Sequence, residues 1–202
     1  GGAGFDCQYH DAFVDNLRQE ILDAATGDPE MGRIRDAING GGTYLSGQRV
    51  LHYVELHDEA WPSSGGQRLP KSIDTTYPHD DLYAKGRVKL AQGLTLLAPG
   101  VPAFLMGGEW LEDTDFGTDA ANRIDWSKKT TYAGIYAFFQ DAIRLRRGWP
   151  QFRADAPWQV FHVNETANVI GFRRTDTAGT PFVVLANFGN ADRWNYLVGL
   201  PA

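Results

Sequence analysis

One cysteine among 202 residues, Cys7, excludes an internal disulfide and leaves the redox compartment open. No apolar run reaches the roughly 20 residues that a membrane-spanning helix needs, so no membrane partner is expected. Basic charge is in the minority. Lys and Arg number 19 against 25 Asp and Glu, for a formal net charge of -6. Nucleic-acid binding needs clustered cations, so no nucleic-acid partner is expected either. The only dense basic run, Arg144, Arg146 and Arg147, falls at a predicted helix end, where it answers the helix dipole better than a phosphate. The five histidines have no zinc spacing. The acidic segment Asp113-Thr114-Asp115-Phe116-Gly117-Thr118-Asp119 fails as a calcium loop: its glycine comes one position early, and Ile124 stands where a bidentate Glu belongs. No metal is expected. Gly40-Gly41-Gly42 lacks the Lys-Ser/Thr of a phosphate loop, no G-x-G-x-x-G follows a strand, and no Ser sits in G-x-S-x-G. Nucleotide binding, serine hydrolysis and a bound cofactor are set aside on these grounds.

What the chain does have is a core. It is 43% hydrophobic and 12% aromatic, with 22% charged residues. That supports one folded domain, or one with a small appendage, and excludes disorder. The chain opens Gly1-Gly2-Ala3-Gly4 and not on Met, so a larger protein is expected.

The most informative stretch is Arg49-Val50-Leu51-His52-Tyr53-Val54-Glu55-Leu56-His57-Asp58-Glu59. Its apolar residues fall on both parities, as in a parallel strand buried on both faces. It then delivers His57, Asp58 and Glu59 into a long loop over residues 60–80. Ahead of it, Gly4–Tyr9 reads as a short strand. Asp11 caps a helix through Phe13, Val14, Leu17, Ile21 and Leu22, which Gly27 ends. Asp28-Pro29-Glu30 starts a second helix with Met31, Ile34, Ala37 and Ile38 on one face, ended by Asn39-Gly40-Gly41-Gly42. After the loop, Asp80 or Asp81 caps a helix to about Ala98, with Leu82, Val88, Leu94 and Leu97 inward. Val101–Met106 is an apolar strand that ends at Gly107-Gly108-Glu109-Trp110. Tyr132–Arg147 is the strongest helix, with Tyr132, Ile135, Tyr136, Phe139 and Ile143 on one face.

After Gly148-Trp149-Pro150 the pattern changes to short strands at Trp158–Val163, Val169–Arg173 and Phe182–Ala186, joined by turns. Such a run is antiparallel. The fold class expected is therefore α/β. Residues 1–148 form three strand–helix units with a parallel sheet, and residues 149–202 start an all-β unit. Three parallel strands alone leave two open edges, so the units read as the last three of a (β/α)8 TIM barrel. Expressed alone, the chain is expected to aggregate or to stay partly unfolded.

In such sheets the chemistry collects beyond the carboxyl ends of the strands. His57 and Asp58 together can grip vicinal hydroxyls of a sugar ring; the plainer alternative is a loop start in which Asp caps and His packs. Tyr9, Trp61, Trp110 and Trp126 sit after strands or in loops and suit stacking on sugar faces, with core packing as the alternative. For Trp149 and Trp158, at the junction, packing is the expectation. Glu109 is a second acidic strand end.

Gly4-Phe5-Asp6, Tyr53-Val54-Glu55-Leu56-His57-Asp58-Glu59, Ala98-Pro99-Gly100-Val101-Pro102 leading to Met106-Gly107-Gly108-Glu109, Ile124-Asp125-Trp126-Ser127 and Ile143-Arg144-Leu145-Arg146-Arg147 occur in this order. In that order they resemble the α-amylase superfamily, glycoside hydrolase family 13, and within it the bacterial 1,4-α-glucan branching enzymes and amylase-like relatives. The resemblance covers nearly the whole chain. It implies that Gly4–Tyr9, Arg49–Glu55 and Ala103–Met106 belong to the sixth, seventh and eighth barrel strands. It also implies that Asp58 is the third catalytic carboxylate and that His57 donates to a hydroxyl in the same subsite. Glu109, Trp61 and Trp110 are further substrate-binding candidates.

Two departures stand out. The nucleophilic Asp and acid/base Glu of the family lie on strands before Gly1, with no Gly-Phe-Arg-x-Asp segment in this chain, so neither role is carried over. Tyr9-His10-Asp11 replaces the frequent Trp-Asp. The resemblance implies a cytoplasmic enzyme without a cofactor, acting on an α-glucan such as glycogen, starch or a maltooligosaccharide. Branching by cleavage of α-1,4 links and transfer to form α-1,6 links comes first. Amylase-type hydrolysis is the alternative. A non-catalytic carbohydrate-binding chain is the reading from a different class.

Overall fold

In a computed structural model, the structure describes residues 5–40 and 50–201. The expected strand start at Gly4, the helix stop at Gly41-Gly42 and the opening of the central strand at Arg49 lie outside the described residues. Three parallel strands pair in the order β1 (Gln8–Tyr9), β2 (Val50–His52), β3 (Val101–Pro102). The crossover from β1 to β2 carries α1 (Asp11–Asp23) and α2 (Met31–Ile38). The crossover from β2 to β3 carries α3 (Leu69–Ile73) and α4 (Leu82–Leu97). After β3 come α5 (Lys128–Thr131) and α6 (Ala133–Gly148). The chain then passes to an antiparallel sheet of β4 (Trp158–Asn164), β5 (Val169–Thr175) and β6 (Pro181–Asn187), with β5 in the middle. The change to antiparallel pairing is as the sequence pattern predicts.

The paired strands are shorter than expected. Pro102 has no N–H to give, yet β3 stays alongside β2, since Ala103 N donates to His52 O at 2.8 Å and Leu105 N to Glu55 O at 3.2 Å. The stretch predicted as a loop over residues 60–80 contains a 3-10 turn at Pro62–Ser64 and the short helix α3.

α1 buries Phe13, Val14, Leu17 and Ile21, and α2 buries Met31, Ile34, Ala37 and Ile38, on the faces their spacing marks. All of these but Val14, with Val88, Ala91 and Leu94 of α4, share one core with Ile170, Phe172 and Ala186 of the antiparallel sheet and with Phe188 just after it. Leu82, expected inward, is exposed. It lies six residues before Val88, about 240° around the helix at roughly 100° per residue, and so leaves the buried face.

Capping differs from expectation in two of three helices. Asp81 caps α4, accepting from Ala84 N at 2.6 Å. His10, not Asp11, is the N-cap of α1. In α2 the first amides are met by a carboxylate from the β4–β5 turn: Met31 N and Gly32 N donate to Glu165 at 2.7 and 2.8 Å. Asp28 has no part in it.

The C-terminal carbonyls of α4 are held by two guanidinium groups, that of Arg174 buried and that of Arg146 part-buried. Arg146 of α6 donates to Leu96 O at 2.5 Å and to Ala98 O at 3.2 Å, and also to Gly100 O. Arg174 of β5 donates to Leu97 O at 3.1 Å and Ala98 O at 3.0 Å. Burial lowers both pKa values, to about 10 for Arg146 and about 9 for Arg174. Arg146 thus serves the dipole of α4 rather than that of its own helix.

Beneath the sheet, His52 Nε2 meets His10 Nδ1 at 3.0 Å, and its ring stacks on Phe13 at 4.0 Å. Burial first, then the neighbouring His10, Arg146 and Arg174, pull the His52 pKa down to about 3. Gly100, at φ 115°, allows this packing, because a Cβ there would lie 2.8 Å from His52 Nδ1.

Candidate functional site

Because β1, β2 and β3 are parallel, the segments after them open at one end of the sheet. His10-Asp11 follows β1, Tyr53 to Gln67 follows β2, and Ala103 to Glu112 follows β3. His57 and Asp58 lie at this end with side chains 53% and 71% exposed, and His57 Nε2 is 3.3 Å from Asp58 Oδ1. They are available to solvent, as a sugar-gripping pair must be, and are not packed away. Glu109 lies beyond the adjacent strand, half-buried, and one oxygen accepts from Gly107 N at 2.7 Å.

The loop bearing Asp58 is tightly closed on itself. Gln67 N donates to Glu59 O at 2.7 Å, Gly66 N to Trp61 O at 2.9 Å, and Ser64 Oγ to Asp58 O at 2.8 Å. Gly66 is required there: a Cβ would sit 2.6 Å from both Asp58 O and Glu59 O. The loop after β3 lies over it. Phe116 N donates to Ala60 O at 2.9 Å, and the Phe116 ring meets His57 edge-on at 5.8 Å and Trp61 at 6.3 Å. Asp58 and Glu59 line an open depression with Arg18, Ser64, Gly65 and Gln67.

Of the expected stacking aromatics, Trp61 is 37% exposed and Tyr9 is exposed with its ring edge-on to Tyr53 at 5.6 Å. Trp110 is corrected: it is 4% exposed, packed on Trp126 at 4.9 Å and on Tyr136 at 6.2 Å. The tight turn through Gly107 (φ 92°) and Leu111 (φ 60°) rolls its indole inward. Trp126, resting on it, is 65% exposed. Trp149 was expected to pack; it touches Phe182 at 5.8 Å but stays half-exposed.

Several supporting groups are not singled out from the sequence. Glu55 is buried, with Arg68 Nη1 3.1 Å from Oε1 and Leu69 N donating to Oε2. Burial pushes its carboxyl up, opposed by Arg68, the Leu69 amide and Arg18. Glu112, also buried, accepts from Thr114 N at 2.9 Å, Asp125 N at 2.6 Å and Lys128 Nζ at 3.2 Å. Burial alone would raise its pKa, but the two amides and the ammonium outweigh that and hold it below the usual range. Tyr53, its phenol pushed up by burial and by Glu59 and Asp11, donates to Asp11 Oδ1 at 3.3 Å. A hint lay in Glu55, a carboxylate inside an apolar strand, which needs a partner.

No family model matches the chain. It is 27% identical over 173 residues, 83% of its length, to the 1,4-α-glucan branching enzyme of Burkholderia pseudomallei (strain 668), and 24% identical over its whole length to that of Burkholderia vietnamiensis. It is 29% identical over 111 residues to the pullulanase of Bacillus subtilis. The chain spans about a quarter of these branching enzymes, 22% and 27% of their lengths. Among solved structures, pullulanase from Bacillus acidopullulyticus superposes with a TM-score of 0.71 at 21% identity, covering 90% of this chain and 24% of that one. Pullulanase from Anoxybacillus, crystallised with maltotetraose, gives 0.70 at 21% identity, covering 90% and 29%. No helix among the described residues is long and apolar enough to cross a membrane. The likeness to the α-amylase superfamily read from the sequence is thereby borne out as a likeness: the chain is similar to part of proteins named as branching enzymes and pullulanase, and shares its fold with pullulanases.

Proposed function

We propose that this chain supplies the Asp58 side of a glucan cleft in an α-glucan-active retaining glycosidase or transglycosylase. Residues 1–148 would form the closing part of a (β/α)8 barrel and residues 149–202 the start of an all-β domain. One observation carries the reading: His57 and Asp58 stand exposed and 3.3 Å apart beyond the central parallel strand, beside Trp61 and Phe116. A hydrogen-bonding pair beside an aromatic face matches a pyranose ring, which has hydroxyls at its rim and apolar C–H faces.

Retaining chemistry uses a nucleophilic carboxylate and a carboxylic acid about 5 Å apart across the glycosidic bond. In this reading earlier strands of the full-length protein carry both. Asp58 accepts hydrogen bonds from two ring hydroxyls, and these tighten as the ring flattens toward the oxocarbenium-like transition state. His57 donates to a hydroxyl of the same glucose unit. Trp61, and Trp126 braced on Trp110, offer faces to neighbouring units, and Glu109 lines the adjacent strand end.

The branching-enzyme relatives support α-1,4 cleavage with transfer to an α-1,6 link as the first choice. Amylase-type hydrolysis of α-1,4 links is the second. Amylose treated with the full-length protein separates the two: transfer changes iodine colour with little new reducing sugar, and hydrolysis lowers iodine colour while releasing reducing sugar. Asp58→Asn is expected to lower turnover by about a hundredfold to a thousandfold, the usual effect of losing one transition-state contact, while the melting temperature holds. Unchanged turnover refutes the role of Asp58. Glucan binding without turnover in the unsubstituted protein establishes the binding-only alternative.

A further inference from the structure

We propose that the buried pair Glu55–Arg68 positions Asp58, acting through the backbone loop that carries it and not by touching the sugar. The inference deepens the cleft reading above and rests on it.

Glu55 stands three residues ahead of Asp58, where the strand leaves the sheet, and Arg68 stands where the loop ends. Their side chains are each 2% exposed and 3.1 Å apart, and the same carboxylate also accepts from the Leu69 amide. One buried carboxylate thus ties the two ends of the loop together. Arg68 has further partners. Its Nε donates to Glu112 O at 3.1 Å and its Nη2 to Met106 O at 3.1 Å, so it also fixes the turn that bears Glu109. From the α1 side, Arg18 donates to Val54 O at 3.4 Å, Gln67 O at 2.5 Å and Ser72 Oγ at 2.9 Å. Carbonyls and carboxylate before and after Asp58 are therefore held by guanidinium forks, while the Asp58 carboxylate itself stays in solvent. The anchored frame with a free acidic tip is what a group must have to meet a ring hydroxyl in fixed geometry.

A buried ion pair is a poor source of stability, because desolvation offsets much of the attraction. Geometric control is the role left for it. Arg suits this better than Lys, since its planar fork serves three acceptors at once.

The test uses the full-length protein on soluble α-glucan. Glu55→Gln is expected to lower kcat about tenfold to a hundredfold, the scale of misplacing a group by about an ångström, with KM changed less than about threefold. In an Asp58→Asn background the same substitution is expected to cost less than about twofold, because there is no longer a carboxylate to position. Multiplying losses in that cycle, or an unchanged kcat with only a lower melting temperature, overturns the proposal. Glu55→Gln leaves Arg68 charged without its carboxylate partner, so the paired change Glu55→Gln with Arg68→Met is measured beside it and is expected to show the same kcat loss and the same cycle. Failure of the paired variant to fold assigns the two residues to stability and also overturns the proposal. If Asp58→Asn by itself leaves turnover unchanged, the cleft reading fails first, and this proposal with it.

Discussion

Acidification from pH 7 to pH 5 is expected to cost the fold about 2 kcal/mol through one side chain, His52, with the free-energy scale of about 1.36 kcal/mol per pH unit. An unfolded imidazole titrates at its ordinary value of 6.5, whereas the folded one is held down to about 3 by burial and by His10, Arg146 and Arg174. Above pH 6.5 both states are neutral and nothing is lost. Below it the unfolded chain takes up a proton that the folded chain refuses, so stability falls as pH falls. The decline continues down to about pH 3, for a total on the order of 5 kcal/mol. Burial lowers His10 as well, which adds to the same trend. Glu112 loses its contribution only below the ordinary carboxylate range, and Glu55, shifted upward, works in the opposite direction. Glu20, raised by burial as Glu55 is, also opposes the imidazoles, so the comparison with a His52 variant, rather than the pH window, singles out His52. Urea unfolding of the native protein, followed by tryptophan fluorescence at both pH values, measures the loss. His52→Gln keeps a polar atom toward His10 but cannot titrate, and should lose about 2 kcal/mol less over the same interval. Equal losses in the two proteins refute the reasoning.

Two further outcomes follow from the packing. Gly100→Ala meets both a positive φ of 115° and a contact of 2.8 Å with His52 Nδ1; it should destabilise by about 1–3 kcal/mol or more, visible as a lower urea midpoint at unchanged slope. Glu165→Ala removes the carboxylate that meets the Met31 and Gly32 amides. It should cost about 1 kcal/mol, as other lost caps do, and should speed amide exchange in the first turn of α2.

The sequence carries the local signals well. The faces of α1, α2 and α6, the Asp81 cap and the antiparallel run after Gly148 all follow from spacing and turn residues within a few positions. The strand ahead of His57-Asp58 is legible too, because an apolar run that stops at ionisable residues marks its exit from the sheet, although the pairing itself stops earlier, at His52. What the sequence hides is set by partners far along the chain. Trp110 and Trp126 are similar residues in similar loops, yet one is core and the other surface, and only their mutual stacking with Tyr136 decides which. Glu55 and His57 share parity, so an ideal strand would put them on one face. The ladder ends at His52, and beyond it one is buried against Arg68 while the other reaches solvent. Arg68, Glu112 and Glu165 gain meaning through contacts 13 to 134 residues away.

Arg174 reaches from the antiparallel sheet into the carbonyl fringe of α4. The two halves of the chain were therefore shaped as one body, and shuffling them between relatives carries a condition. A transplanted β unit must bring an arginine at this position, and the recipient helix must end where its fork can reach. Exchange across residue 148 without that match would leave peptide oxygens stranded in a dry interior, so this seam between the units is a poor place for recombination.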